Sequence, residues 1–251
     1  KKIKVIFLSG QMIRDFKNYK NCFVSASRLS KSEIKNLDRQ HNTLVIKNYI
    51  KNKFYNLKVN LNNQGYYVRP ETFIKAYKSK KKMKLKKINI IKKKKIFLLA
   101  LNCFSDTPHY QGKIIFRDFY DHFVKTINFV KKENSDDFVW LVKPHPAVKF
   151  YNESGIVEEH LKKLNAKNIN ICPNNLSNIE IFKHVDCLTS AVSTIALEYA
   201  CFGKRPIICS KTAYSGYGFT KEPKTQEEYF QIISSSKYNN KLSEIDKLKA
   251  Q

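Results

Sequence analysis

Four short segments of this chain carry residue types able to handle a phosphorylated substrate. The first is Lys143-Pro144-His145-Pro146. Two prolines fix φ on either side of the histidine and remove two backbone donors, so the imidazole is held in a defined place. A histidine held so can donate to a phosphate oxygen or act as an acid on a leaving group, or it can serve only as a turn residue that satisfies a carbonyl. The second is Thr189-Ser190-Ala191-Val192-Ser193-Thr194, running into the helical pattern IALEYACF. Ser193 or Thr194 falls at the N-cap, where free amides and the helix dipole attract anions. Glu198 follows one turn later, placed to accept from paired ribose hydroxyls or to stand as an ordinary helical residue. The third is Ser105-Asp106-Thr107-Pro108-His109, in which Asp106 is either a general base or a turn-capping carboxylate. The fourth is the polar run from Ser210 to Gly218, with Lys211 and Tyr214 in it.

Other chemistries find no support. There is no G-x-G-x-x-G, no P-loop and no serine elbow. The six cysteines (Cys22, Cys103, Cys172, Cys187, Cys201 and Cys209) include no C-x-x-C pair, and five sit in apolar runs. They read as free buried thiols in a reducing, cytoplasmic compartment, and the spacing disfavours zinc. No metal and no cofactor is expected.

The elements that must position these segments follow from hydrophobic periodicity. Apolar runs of strand length at 96–103, 138–143, 168–172, 185–189 and 206–209 alternate with helical patterns at 115–132, 153–164, 178–184, 193–202 and 226–234. Ile156, Val157, His160, Leu161 and Leu164 fall on one face of the second helix, and Gly203 marks the C-cap of the fourth. Such alternation predicts an α/β fold, a Rossmann-like doubly wound parallel sheet with helices on both faces. In such sheets ligands bind beyond the carboxyl ends of the strands, where all four polar segments fall.

The 251 residues carry 47 Lys+Arg against 21 Asp+Glu, a net charge of +26. Twelve lysines fall within Lys75–Lys95, and no acid occurs between Glu71 and Asp106. A block so charged repels itself and reads as a connector. It divides the chain into a smaller or truncated N-terminal α/β part (1–74), a lysine-rich linker (75–95) and the Rossmann-like domain (96–251). In the first part, 3–8 reads as a strand, 24–37 as a capped helix and 42–50 as strand or helix. A cytoplasmic location is the expectation; the block reads either as a solvated connector or as a patch for an anionic membrane surface, which would place the protein peripherally on the inner membrane. Aromatic residues do not interleave the lysines as a stacking platform requires, so nucleic acid is not an expected partner. No run approaches the roughly 18–20 apolar residues that span a bilayer.

In combination, L-V-K-P-H-P at 141–146, D-C-L-T-S-A-V-S-T-I-A-L-E-Y-A-C-F-G-K-R-P-I at 186–207, A-Y-S-G-Y-G-F-T at 213–220 and L-A-L-N-C-F-S-D-T-P-H at 99–109 resemble the capsule polysaccharide biosynthesis family. The resemblance covers roughly 96–233. It implies a GT-B-like C-terminal half and a β-Kdo transferase-like glycosyltransferase that uses a CMP-sugar without metal. A nucleotide sugar and a glycan or glycolipid acceptor are the implied partners. By the same resemblance His145 and the Ser193/Thr194 helix start hold the donor phosphate, Glu198 holds the ribose or base, and Asp106 is the catalytic carboxylate. Lys143, Ser190 and Tyr214 complete the expected donor site. The motifs are also similar to those of bacterial sialyltransferases, but the acidic pair Asp136-Asp137 precedes Phe138 rather than Gly. A CDP-polyol phosphotransferase of teichoic-acid type would call for a second histidine after the Ser-Thr helix, and no histidine follows His184. A non-catalytic domain binding membrane or polyanion through the lysine block is the remaining alternative.

Overall fold

The computed structural model describes residues 5–9, 12–16, 94–108, 113–133, 135–172, 178–235, 238 and 240–250. Nearly all of the lysine block, the segments 24–37 and 42–50, and His109 lie outside the described residues. So does Cys22.

Strands β1 (Val5–Ser9) and β2 (Met12–Phe16) pair antiparallel as a hairpin. The expected strand at 3–8 is thus one arm of that hairpin, displaced slightly toward Ser9.

The second sheet has five parallel strands: β3 (Lys95–Ala100), β4 (Phe138–Lys143), β5 (Ile169–Ile171), β6 (Cys187–Ser190) and β7 (Ile207–Ile208). Their order is β5-β4-β3-β6-β7. The chain starts at the centre, builds outward to β5, then returns to the other side of β3. That reversal makes β3 and β6 the topological switch point, the place where a doubly wound sheet opens a crevice at its carboxyl edge. The helices are α1 (Phe119–Glu133), α2 (Ile156–Leu164), α3 (Asn178–His184), α4 (Thr194–Cys201), α5 (Gln226–Ser234) and α6 (Glu244–Ala250).

Strand residues are apolar on both faces because both faces are covered. Phe97, Leu99, Trp140, Val142, Cys187 and Ile207 face one core, together with Phe123 and Ile127 of α1 and Tyr229 and Ile233 of α5. Ile96, Leu98, Leu141, Leu188 and Ile208 face the other, with Ile181 and Phe182 of α3 and Ala196 and Tyr199 of α4. The period of two along β3 thus sorts neighbouring residues into opposite cores. Phe97 stacks on Trp140 at 4.8 Å between centroids and meets Phe138 edge-on at 5.1 Å, which locks the β3–β4 pair from one side. The expected α/β, doubly wound architecture is the one observed.

The differences are local. The helix expected from Glu153 begins only at Ile156, because Gly155 takes a left-handed conformation (φ 87°) just before it. Of the five residues placed on its inner face, only Val157 is fully buried, and Ile156 is 36% exposed. Gly203 does close α4, at φ 81°, with its N–H on the Ala200 carbonyl at 2.8 Å. Helix α6 was not expected. Its start is signalled by Ser243-Glu244-Ile245-Asp246, where the Ser243 hydroxyl accepts from the Asp246 N–H at 3.1 Å.

Candidate functional site at the carboxyl edge of the sheet

Register sets the site. Ala100 is level with Lys143 on one side and with Ser190 on the other, and Ser190 is level with Ile208. Four strands therefore end in one row, and the four polar segments leave from neighbouring points. Cross-links between the loops convert this row into a fixed edge. Asn102, just past β3, donates its side-chain amide to the Val192 carbonyl across the switch point. Its Oδ1 accepts the Val192 N–H at 3.4 Å in return. Tyr214, in the loop after β7, donates its phenol to the Ser193 carbonyl at 2.7 Å. Burial pushes that phenol well above its ordinary pKa, so it remains a neutral donor.

The Lys143-Pro144-His145-Pro146 turn presents a half-buried imidazole. Its Nδ1 accepts the Ala147 N–H at 3.2 Å and lies 3.3 Å from the Cys103 sulfur. Because a backbone N–H can only donate, Nδ1 must be the unprotonated nitrogen, and the neutral ring carries its proton on Nε2. Burial lowers the pKa of His145, opposed by the negative charges of Asp106 and Glu153 and assisted by Lys143. The ring is thus a neutral Nε2–H donor at pH 7.

Glu153 is the residue that sequence reading misses. It is buried, and its carboxylate accepts from the Phe104 N–H at 2.7 Å, the Ser105 N–H at 2.6 Å and the Ser105 hydroxyl at 2.5 Å. These bonds clamp the loop after β3 onto the chain that follows His145. Three donors converging on one carboxylate offset the cost of burying its charge. The signal lay in Gly155, which ends the helical pattern and frees Glu153 to turn inward. Glu222 does the same for the Tyr214 loop, accepting from the Gly216 N–H at 2.6 Å and the Thr220 hydroxyl at 2.8 Å.

The expected site residues divide by what they touch. Ser190 is wholly buried and donates to the Ala100 carbonyl at 2.8 Å, so its hydroxyl ties β6 to β3. Ser193 takes the N-cap position of α4 with extended backbone, yet its side chain makes no cap bond. Its buried Oγ has no hydrogen-bond partner among the described residues. Thr194 is exposed at the first turn. Glu198 is half-buried and accepts from the Asn178 side-chain amide at the start of α3, at 2.8 Å. Asp106 closes the turn from Cys103 and accepts from the Thr107 N–H at 2.8 Å and hydroxyl at 3.2 Å, both through Oδ1. Lys143 ends β4 and accepts the Leu101 N–H at its carbonyl, 2.9 Å away. Lys211 lies 3.9 Å from Glu222. The edge thus combines neutral and cationic donors with helix amides, a set suited to an oxyanion. Among the described residues no three His, Cys, Asp or Glu side chains converge as metal ligands would, and no helix is long and apolar enough to cross a membrane.

Residues 16–245 match the family described as capsule polysaccharide biosynthesis protein. The chain belongs to that family. The match extends well beyond the motif-bearing stretch 96–233 and takes in the lysine block. No curated protein sequence matches the chain. Among solved structures, this member of the capsule polysaccharide biosynthesis family is similar to two Thermosulfurimonas dismutans KpsC structures. The beta Kdo 2,4 transferase is 15% identical with a TM-score of 0.42, over 80% of this chain and 59% of that one. The beta Kdo 2,7 transferase is 20% identical with a TM-score of 0.41, over 80% and 56%. The wall teichoic acid polymerase TagF is 18% identical with a TM-score of 0.33, over 56% of this chain and 29% of that one. The chain therefore spans less than two thirds of the KpsC chains it matches.

Proposed function

We propose that this protein is a glycosyltransferase of bacterial surface polysaccharide biosynthesis. In this reading it moves a Kdo-like sugar from a CMP-sugar to a glycan or glycolipid acceptor, and residues 96–251 form its donor-binding part. One observation carries the reading: the buried Ser193 hydroxyl at the α4 N-terminus is without a partner among the described residues, on the edge where His145 holds an Nε2–H donor. A buried hydroxyl left unsatisfied is destabilising, and an anionic ligand seated on the helix amides would supply its acceptor.

Transfer from a nucleotide sugar breaks the bond between the anomeric carbon and a phosphate oxygen, so negative charge grows on the departing nucleotide. Preorganised donors aimed at that charge stabilise the transition state. His145 Nε2–H, the first amides of α4, the Ser193 hydroxyl and the Lys143 ammonium take that role. Glu198 holds the ribose or base. Asp106, through the Oδ2 that its own turn leaves unused, accepts the acceptor hydroxyl's proton or stabilises the cationic sugar. The Lys75–Lys95 block holds the enzyme at an anionic membrane, where the acceptor is presented.

A thermal-shift panel of CMP, CDP, UDP and GDP tests the donor assignment. Stabilisation specific to CMP is the expected result. A shift with UDP alone would reassign the donor to a hexosyl nucleotide. Indifference to all four would favour a non-catalytic polyanion-binding domain.

A further inference from the structure

We propose that Cys103 is a positioning residue for His145, its thiol donating to Nδ1 so that the imidazole keeps its proton on Nε2, facing the donor phosphate. The inference deepens the proposed function and rests on His145 as the phosphate donor. Its geometry does not depend on the identity of the sugar.

Cys103 lies three residues past β3, on a different loop from His145, and is 2% exposed. Its sulfur is 3.3 Å from Nδ1, within the range of an S–H···N bond. The Ala147 N–H reaches the same nitrogen from the other side at 3.2 Å. Two donors therefore converge on one ring nitrogen. A proton on Nδ1 would face both of them, so the imidazolium and the alternative tautomer are disfavoured together. The groups that act on the ring are Cys103 and Asp106 from the loop after β3, Lys143 from the end of β4, and Glu153 from the segment before α2. Burial and the nearby Glu153 and Asp106 carboxylates push the thiol up to about 12, which keeps it an S–H donor rather than a thiolate nucleophile. Glu153 holds the next two residues, Phe104 and Ser105, by three bonds, so the sulfur is fixed relative to the ring.

The arrangement couples two loops through one contact. Loss of the thiol would leave Ala147 as the single donor to Nδ1. A hydrogen bond to the neutral form lowers a pKa, so its removal should raise the His145 pKa by about 0.5–1 unit. Cys103→Ser retains an O–H donor at the same place and should restore much of the effect.

The test is long-range 1H–15N NMR of the imidazoles across a pH series, in wild type, Cys103→Ala and Cys103→Ser, with His145→Gln to assign the resonance. The wild type should show an unprotonated Nδ1, a protonated Nε2 and a depressed pKa. Cys103→Ala should raise that pKa and increase the Nδ1–H population, and Cys103→Ser should bring both back toward wild type. An unchanged His145 signal in Cys103→Ala would overturn the proposal. So would a wild-type ring protonated on Nδ1. Should Cys103→Ala not fold, a Cys103→Ser ring with wild-type tautomer and pKa upholds the proposal, and one lacking them overturns it. No sugar nucleotide is needed, so failure here is separate from failure of the transferase reading, which the nucleotide panel reads.

Discussion

Two histidines in this protein share a burial-lowered pKa and a neighbouring cysteine, yet they are held by opposite ring nitrogens. His122 lies on the buried face of α1, with Nε2 3.4 Å from the Tyr229 hydroxyl and 3.7 Å from the Cys209 sulfur. Thr126 completes the cluster by donating to the His122 carbonyl at 2.6 Å and meeting Tyr229 at 3.1 Å. Thr189 donates to the same phenol at 3.3 Å. Burial holds the His122 pKa down to about 3. His145 sits instead at the carboxyl edge, where two groups converge on Nδ1 and Nε2 carries the proton. Burial alone does not mark a functional histidine. The two rings differ in the nitrogen that is engaged, Nδ1 in His145 and Nε2 in His122.

Paired substitutions turn that contrast into a crossed experiment. His145→Ala should lower sugar transfer by about 10²–10⁴-fold, the usual worth of a positioned proton donor, while the melting temperature falls by only about 2–4 °C, the cost of leaving the Ala147 N–H without its acceptor. His122→Ala should do the reverse. It removes the imidazole partner of the buried Tyr229 phenol and leaves a cavity, at a cost of roughly 3 kcal/mol, which at this size lowers Tm by about 6–12 °C. Activity of the folded fraction should hardly change. If both variants lose activity in proportion to stability, the distinction drawn between the two rings fails.

Both lowered pKa values make stability fall with acid, and His122 is the fully buried case. The pKa of His122 falls from an unfolded value near 6.5 to about 3 on folding. Between those values the unfolded chain binds a proton that the folded chain refuses. Stability is therefore complete above pH 6.5 and declines as pH falls, by on the order of 1.4 kcal/mol per pH unit until about pH 3. Denaturant titrations from pH 7 to pH 4 should show that slope, and His122→Gln should flatten it. An equally steep limb in His122→Gln would assign the sensitivity to carboxylates instead.

Much of this was legible in the sequence, and what was not has definite causes. Apolar runs such as Phe138–Lys143 have the length and composition of doubly covered strands, so the parallel sheet and its polar edge could be read directly. The roles of individual hydroxyls could not. Ser190 and Ser193 stand three residues apart in one polar segment, yet one is buried against the Ala100 carbonyl and the other has no partner among the described residues. That division depends on strand register, which periodicity does not encode. Glu153 was hidden for a related reason. A carboxylate at the head of an amphipathic pattern reads as a helix-start residue until Gly155 is seen to break the pattern two positions later.

Smaller effects sharpen the picture of the edge. Glu153→Ala leaves three donors in the loop after β3 without their acceptor, and should cost about 3 kcal/mol as well as most of the activity. The loss of activity should exceed the loss of folded protein, as measured by circular dichroism on the same samples. Ser193→Ala is expected to raise stability slightly, because it removes a buried hydroxyl that has no partner among the described residues, unlike the roughly 1 kcal/mol lost at a serine that caps its helix. Nucleotide affinity in that variant should fall about 10–150-fold, the worth of one hydrogen bond to an anion. A destabilised Ser193→Ala with unaltered affinity would return the hydroxyl to a structural role.

The central claim is that the edge formed by the loops after β3, β4 and β6 receives the phosphate of a CMP-sugar through His145. Calorimetric titration of CMP into wild type and His145→Ala, at one pH and ionic strength, tests it most directly. CMP should bind wild type saturably, and His145→Ala, which should remain folded, at least tenfold more weakly. Equal affinity in the two proteins, or no binding of CMP to wild type, would contradict it.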